Sequence, residues 1–297
     1  MLIIFASSMR YKILSFIACL HLIYAFSFCL LIVANPFGQI PPFWMLLMQA
    51  GIPTLFYTYN GQMIADKSIP DYNARLSWYQ KHRNITKIYL LCILTVLIAT
   101  FIYAIGLKKQ GVLIARYSLY QLPALLFSYL YYPNFFVKKG LRSNGLLKPF
   151  VLGLSWACAS YFPMFMLLQS QTSTVFQAIL PAINLFILFS ALGLLSDGRD
   201  AAYDKENGVI TMAVKHGWKF SNTCIALPLL CFSAGMDFLL FMQTNVLLAG
   251  VAAFLFGFIS IFICIKTHPE SSFLFYHFGV DGLMLVKALL WYVVMHG

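Results

Sequence analysis

Residues 175–208 read VFQAILPAINLFILFSALGLLSDGRDAAYDKENG, an apolar run that ends abruptly in a cluster of charge. The run over 175–195 has the length, roughly 20 residues, that crosses a hydrocarbon core as a helix. The charged end holds Asp197, Asp200, Asp204 and Glu206, four of the chain's nine acidic residues. If the helix continues past the membrane surface, Asp197, Asp200 and Asp204 fall at i, i+3 and i+7, on one face. Like charges at that spacing repel, so a cation should stand opposite them. Mg²⁺ suits the place, because it takes carboxylate oxygens together with water and phosphate oxygens. Arg199 and Lys205 fall on other faces, from which they could reach a phosphate.

The rest of the chain resembles the apolar half of that stretch. Of 297 residues, 61% are hydrophobic and 10% charged, against roughly a quarter charged in soluble domains, and the mean hydropathy is +0.81. Apolar runs recur over 13–34, 43–60, 86–106, 112–133, 149–168, 175–195, 222–242, 245–265 and 273–295. The reading is an all-α, polytopic membrane helical bundle of about nine transmembrane helices, one domain over 1–297. A spanning β-barrel needs alternation of apolar and polar residues, which is absent. The first run is long and lacks a clear small-residue cleavage site, so it reads as a span rather than a leader.

Lysine and arginine set the orientation. With the N-terminus cytoplasmic, the inner segments carry sixteen of these residues and the outer loops carry Lys108, Lys109 and Arg116. The acidic loop that follows the 175–195 run is then cytoplasmic. The net charge of +11 reads as topology and attraction to anionic lipid, and without a dense basic run it argues against nucleic acid. The seven cysteines lie in apolar runs with no metal spacing and read as packing residues.

A second cytoplasmic loop, Tyr59–Lys87, carries Asp66 and Asp71, so the two loops hold six of the nine acidic residues. Pro70 stands between Asp66 and Asp71 and disfavours a helix through both. Arg75, Trp78, Lys81, His82 and Arg83 read as a juxtamembrane anchor. Lys138, Lys139, Arg142 and Lys148 form a basic loop, explained by topology. Asp237, Asp281 and Lys287 fall inside apolar runs, where ionisable groups face the bundle interior. His277 and Asp281 are spaced to share a face; Lys287 is poorly spaced to pair with Asp281.

Ser196-Asp197-Gly198-Arg199-Asp200, followed by Asp204, Gly208 and Thr211, resembles the second aspartate-rich motif of the UbiA superfamily of intramembrane prenyltransferases. Ser196 stands where that motif has Asn. The first loop departs from the family pattern, with Gly61 after Asn60 and Ile64 at the first Asp position. The resemblance implies nine helices and two cytoplasmic acidic loops holding Mg²⁺ against a prenyl diphosphate. It implies transfer of the isoprenoid chain to a lipophilic, aromatic acceptor in quinone or related lipid synthesis. On this reading Asp197, Asp200, Asp204 and Asp66 hold metal, and Asn60, Arg142, Lys148, Arg199 and Lys205 hold the diphosphate. A degenerate prenyl-lipid-binding member and a transporter are the competing readings; Pro123, Pro163 and Pro181 are what the transporter has in its favour. A CDP-alcohol phosphotransferase is set aside, since its Ala-Arg pair and downstream aspartates are missing.

Overall fold

The computed structural model describes residues 2–36, 39–67, 74–106, 110–131, 140–168, 175–206 and 208–297. Among these the regular structure is helical. The main helices are α1 (Leu2–Cys19), α2 (Leu22–Val33), α3 (Phe43–Lys67), α4 (Ala74–Lys81), α5 (Arg83–Gly106), α6 (Gly111–Tyr131), α7 (Lys148–Leu168), α8 (Val175–Glu206) and α9 (Met212–His216). They are followed by α10 (Trp218–Phe241), α11 (Val246–Lys266) and α12 (Phe273–His296). Helices α10 and α12 each contain a π-helical stretch, Ser221–Ala226 and Tyr276–Val280.

Among the described residues five helices, α5, α8, α10, α11 and α12, are long and apolar enough to cross a membrane. A sixth is obtained if Arg10–Cys19 and Leu22–Val33, bent by 60° at their junction, form one span. That is fewer than the nine anticipated. Helices do form over the runs at 43–60, 112–133 and 149–168, as α3, α6 and α7, but α3 carries Gln49, Thr54, Thr58, Asn60 and Gln62, and α6 carries Arg116 and Gln121. Broad apolar faces are left bare, with Ile88, Leu91 and Ile102 exposed on α5 and Leu247, Phe254 and Phe258 on α11. Such continuous apolar surface belongs in lipid rather than water. The chain is an integral membrane protein.

The chain divides into two compact units: residues 1–29, 42–111 and 272–285, and residues 30–41, 112–271 and 286–297. In the first unit, α3 packs along α5 and also carries α4. Gly61 makes room for the ring of Tyr79, since a Cβ there would come within 2.6 Å of it. Tyr79 is fully buried among Cys19, Ala65 and Leu76, and its hydroxyl donates to the Cys19 carbonyl. This fixes α4 against α1 and α3.

In the second unit, the tightest pairing is α7 on α8. A Cβ on Gly153 would fall 2.8 Å from the Ser190 backbone nitrogen, and one on Gly193 would touch Pro149 at 3.1 Å. Two glycines therefore let the backbones approach closely, as small residues do between membrane helices. Helix α8 runs well past its apolar part to Glu206. Gly208 then turns the chain at φ +70°, the left-handed conformation that ends helices and that glycine adopts without steric cost. The Val209 amide caps the Asp204 carbonyl at 2.8 Å. Thr211, fully buried, accepts from the Val214 amide at 3.2 Å and starts α9.

Candidate functional site

Because α8 continues as a helix, its acidic residues occupy a helical face and not a loop. Asp197 and Asp204, two turns apart, are both buried to within 2%. Lys148, the first residue of α7 and also buried, stands against both of them. Its Nζ lies 2.8 Å from Asp197 Oδ1 and 2.6 Å from Asp204 Oδ2. The close α7–α8 packing at Gly153 and Gly193 brings this lysine into reach. A cation does oppose the acidic stripe, as the repulsion argument requires, and among the described residues it is a lysine. Burial works against the Lys148 charge, but the carboxylates of Asp197, Asp200 and Asp204 outweigh it and raise its pKa above the ordinary lysine value. Lysine is thus held as a cation.

Asp200 is half-buried and held by its neighbour: Arg199 Nε and Nη2 donate to its two oxygens at 2.8 and 3.1 Å. Arg199 therefore neutralises a member of the stripe, where the sequence had placed it free on another face. Its long side chain folds back over the adjacent position to make the forked pair. Lys205 points to solvent. Arg142 has its backbone in a short 3₁₀ turn, Leu141–Ser143, and its side chain lies outside the described residues, as do Lys138 and Lys139. Next to that turn, a Cβ on Gly145 would sit 2.1 Å from the Ile210 carbonyl oxygen, so the segment leading into Lys148 lies directly on the one following α8.

The donor set accords with Mg²⁺ in kind. Among the described residues Asp197 Oδ2 is buried without a hydrogen-bond partner, and such an oxygen is open to a cation. Among the described residues no three His, Cys, Asp or Glu side chains converge on one point. Mg²⁺ does not require such a cage, because it is commonly held by one or two carboxylates with substrate phosphates and waters completing the shell.

In the first unit, α3 extends to Lys67, which places Asn60 and Asp66 on a helix and not in a loop. Asn60 Nδ2 donates to the Phe56 carbonyl at 2.9 Å. Asp66 accepts from Gln62 Nε2 at 2.7 Å and faces Arg83 Nη2 at 3.3 Å. Gln62 was not singled out in the sequence, although its spacing of four from Asp66 on a helix was there to be read. Asp71 lies outside the described residues.

The second unit also contains a charged cluster removed from the acidic stripe. Lys287, fully buried, donates to Asp237 Oδ2 at 2.7 Å, Ser233 Oγ at 2.8 Å and Asn184 Oδ1 at 3.0 Å. Asn184 Nδ2 and Trp291 Nε1 each donate to Asp237 Oδ1 at 2.7 Å. The intramembrane ions thus face inward and pair, and Lys287 pairs away from Asp281. Along α7 and α8 there is an apolar recess of about 370 Å³, with Leu154, Ala157, Tyr161, Ile183 and Phe186 in its lining.

No protein-family model matches the chain, and no curated protein matches it either. Solved structures do. A UbiA homologue from Archaeoglobus fulgidus, determined with GPP and Mg²⁺, superposes with a TM-score of 0.59 at 16% identity, over 95% of this chain and 100% of that one. A digeranylgeranylglyceryl phosphate synthase gives a TM-score of 0.54 at 14% identity, over 96% and 99%. The fold is of the UbiA type. That fold covers nearly the whole chain, and the acidic stripe is a feature of this chain's own α8.

Proposed function

We propose that the protein is an intramembrane prenyltransferase. It moves an isoprenoid chain from a prenyl diphosphate to a lipophilic, aromatic acceptor, as in quinone or related lipid synthesis. The observation that carries this is the buried Lys148–Asp197–Asp204 cluster at the end of the α7–α8 pair. The apolar recess along the same two helices gives the pair an amphiphilic character matching a prenyl diphosphate. The UbiA-type fold supports the reading, as does the GPP and Mg²⁺ held by the Archaeoglobus homologue.

In this reading Asp197, Asp200 and Asp204 hold Mg²⁺ on the second unit, and Asp66 is a metal ligand on the first. What Mg²⁺ supplies when bound is charge neutralisation on the diphosphate oxygens. Lys148, Arg199, Lys205 and Arg142 are the cations that meet the diphosphate, and on the first unit Asn60 is the amide suited to phosphate. Lys148 and Arg199 leave their carboxylates to do so, which keeps the local charge near balance before and after substrate arrives. The donors stabilise the negative charge that grows on the leaving group as its bond to carbon breaks. Lipid-facing apolar walls keep water from the carbocation that results.

A second reading, a family member that binds prenyl lipids without turnover, draws on the same geometry, since Lys148 and Arg199 already satisfy the carboxylates. One experiment separates the two. Purified protein is given a radiolabelled prenyl diphosphate, Mg²⁺ and a phenolic acceptor, and both binding and transfer are followed. Transfer that falls at least ~100-fold in Asp200→Asn and Asp204→Asn supports the enzyme. Binding without transfer supports the second reading. Binding and transfer that are both indifferent to these substitutions exclude the site.

A further inference from the structure

Away from the acidic stripe, α11 of the second unit carries a ladder of exposed rings that ends in a cation. Phe254, Phe258, Phe262 and Lys266 follow one another at intervals of four, and all are exposed. That spacing puts them on one face of the helix. The Phe254 and Phe258 rings stack with centroids 6.4 Å apart. From Phe254 to Lys266 the helix rises by about 18 Å, close to the hydrocarbon thickness of one leaflet, about 15 Å. Lys266 is the last residue of α11 and follows an apolar run, so it stands where hydrocarbon gives way to headgroups.

A second helix reinforces that end. Helix α10 packs along α11, and its first residue, Trp218, meets the ring of His268 edge-on at 4.6 Å. Asn222 Nδ2 donates to the Thr267 carbonyl at 3.4 Å. The start of α10 is thereby tied to the residues just after Lys266. Lys219, next in the chain to Trp218, has its Nζ 5.7 Å from the centre of the Trp218 ring. Lysine and tryptophan collect at membrane boundaries, the one carrying charge on an apolar stem and the other a polar N–H on an apolar ring. Lys219 and Lys266 are exposed, and among the described residues neither is ion-paired. Over 208–222 and 264–271 three lysines, with Lys215 the third, stand against one carboxylate, Glu270.

We infer that this face binds one anionic phospholipid, its acyl chain laid along Phe262, Phe258 and Phe254 and its phosphate headgroup held by Lys266 and Lys219. The rings provide the apolar contact area. A zwitterionic lipid offers the same chain, but its own cation offsets the phosphate, so the excess of lysine selects a net negative headgroup. The lipid site stands whether or not the protein transfers prenyl groups.

The test embeds the full chain in phosphatidylcholine nanodiscs with a small share of photoactivatable phosphatidylglycerol or photoactivatable phosphatidylcholine, and maps the cross-links by peptide. Phosphatidylglycerol is expected to label 254–266 well above phosphatidylcholine. Lys219→Gln with Lys266→Gln should lower that labelling about 25-fold, at roughly fivefold per lysine, and leave phosphatidylcholine labelling unchanged. Phe258→Ala with Phe262→Ala should reduce labelling by both lipids, because apolar contact is lost to each. Equal labelling by the two lipids in the unaltered protein, or a phosphatidylglycerol preference that survives the loss of both lysines, overturns the site. So does displacement of the lipid by free glycerol phosphate, which would give the lysines to a soluble anion. Protein–protein cross-links through 254–266 in place of lipid labelling would give the face to a second copy and overturn it equally.

Discussion

At the scale of single residues, the decisive fact is that Lys148 stands between Asp197 and Asp204. Removing one partner of a buried ionic group leaves the other charge uncompensated, at a cost of about 3–5 kcal/mol. Lys148→Ala is therefore expected to lower the thermal stability of the detergent-solubilised protein markedly. Lys148→Ala combined with Asp197→Asn and Asp204→Asn should recover much of that loss, because no bare charge remains. Recovery of stability without recovery of prenyl-diphosphate binding would separate the structural duty of Lys148 from its proposed binding duty. The sequence made the acidic half of this group legible, since a spacing of three and seven announces a shared helical face. It could not show the partner, because Lys148 comes from a different helix and looks like one more positive-inside residue. Arg199 was misjudged for the opposite reason: helical position says where a side chain starts, and a long guanidinium ends elsewhere.

At the scale of elements, hydropathy locates apolar runs but does not end helices. The runs at 43–60 and 175–195 stop where polar residues begin, yet the backbone hydrogen bonding continues to Lys67 and Glu206. What terminates α8 is the turn at Gly208, and what seats its charged end is the approach of Gly145 to the Ile210 carbonyl. Gly145→Ala must push two backbones apart, so it is expected to destabilise by about 1–3 kcal/mol. It should also weaken prenyl-diphosphate binding by displacing Lys148 from the stripe, although it changes no charged residue. Thermal unfolding and a binding titration on the same preparation check both parts. In α3 the spacing of four between Gln62 and Asp66 was legible, and what the sequence did not show is that the helix continues through both to Lys67.

At the scale of the whole molecule, composition was enough to identify a helical membrane protein, and the bare apolar faces of α5 and α11 agree with it. The number of spans was less legible, because α3 and α6 mix apolar length with polar residues that hydropathy discounts. The buried Lys287–Asp237 group joins α8, α10 and α12 through Asn184, Ser233 and Trp291. No spacing in the chain foretells it, since its members are scattered over more than a hundred residues. Lys287→Met should cost about 3–5 kcal/mol by stranding Asp237, while the double change Lys287→Met with Asp237→Leu should cost far less. Thermal stability of the single and double variants measures the difference, and prenyl-diphosphate binding should survive in the double variant.

The position of Lys148 has a mechanical corollary. It is the first residue of α7, where the positive end of a helix disfavours a cation by about 0.3–1 kcal/mol. The carboxylates of α8 hold it there against that preference and so pin the opening turn of one helix to the far end of another. An anion that draws Lys148 away releases the pin. Amide hydrogen exchange over 150–153 should accordingly quicken when a prenyl diphosphate binds, so that the start of α7 reports the arrival of substrate as a loosening.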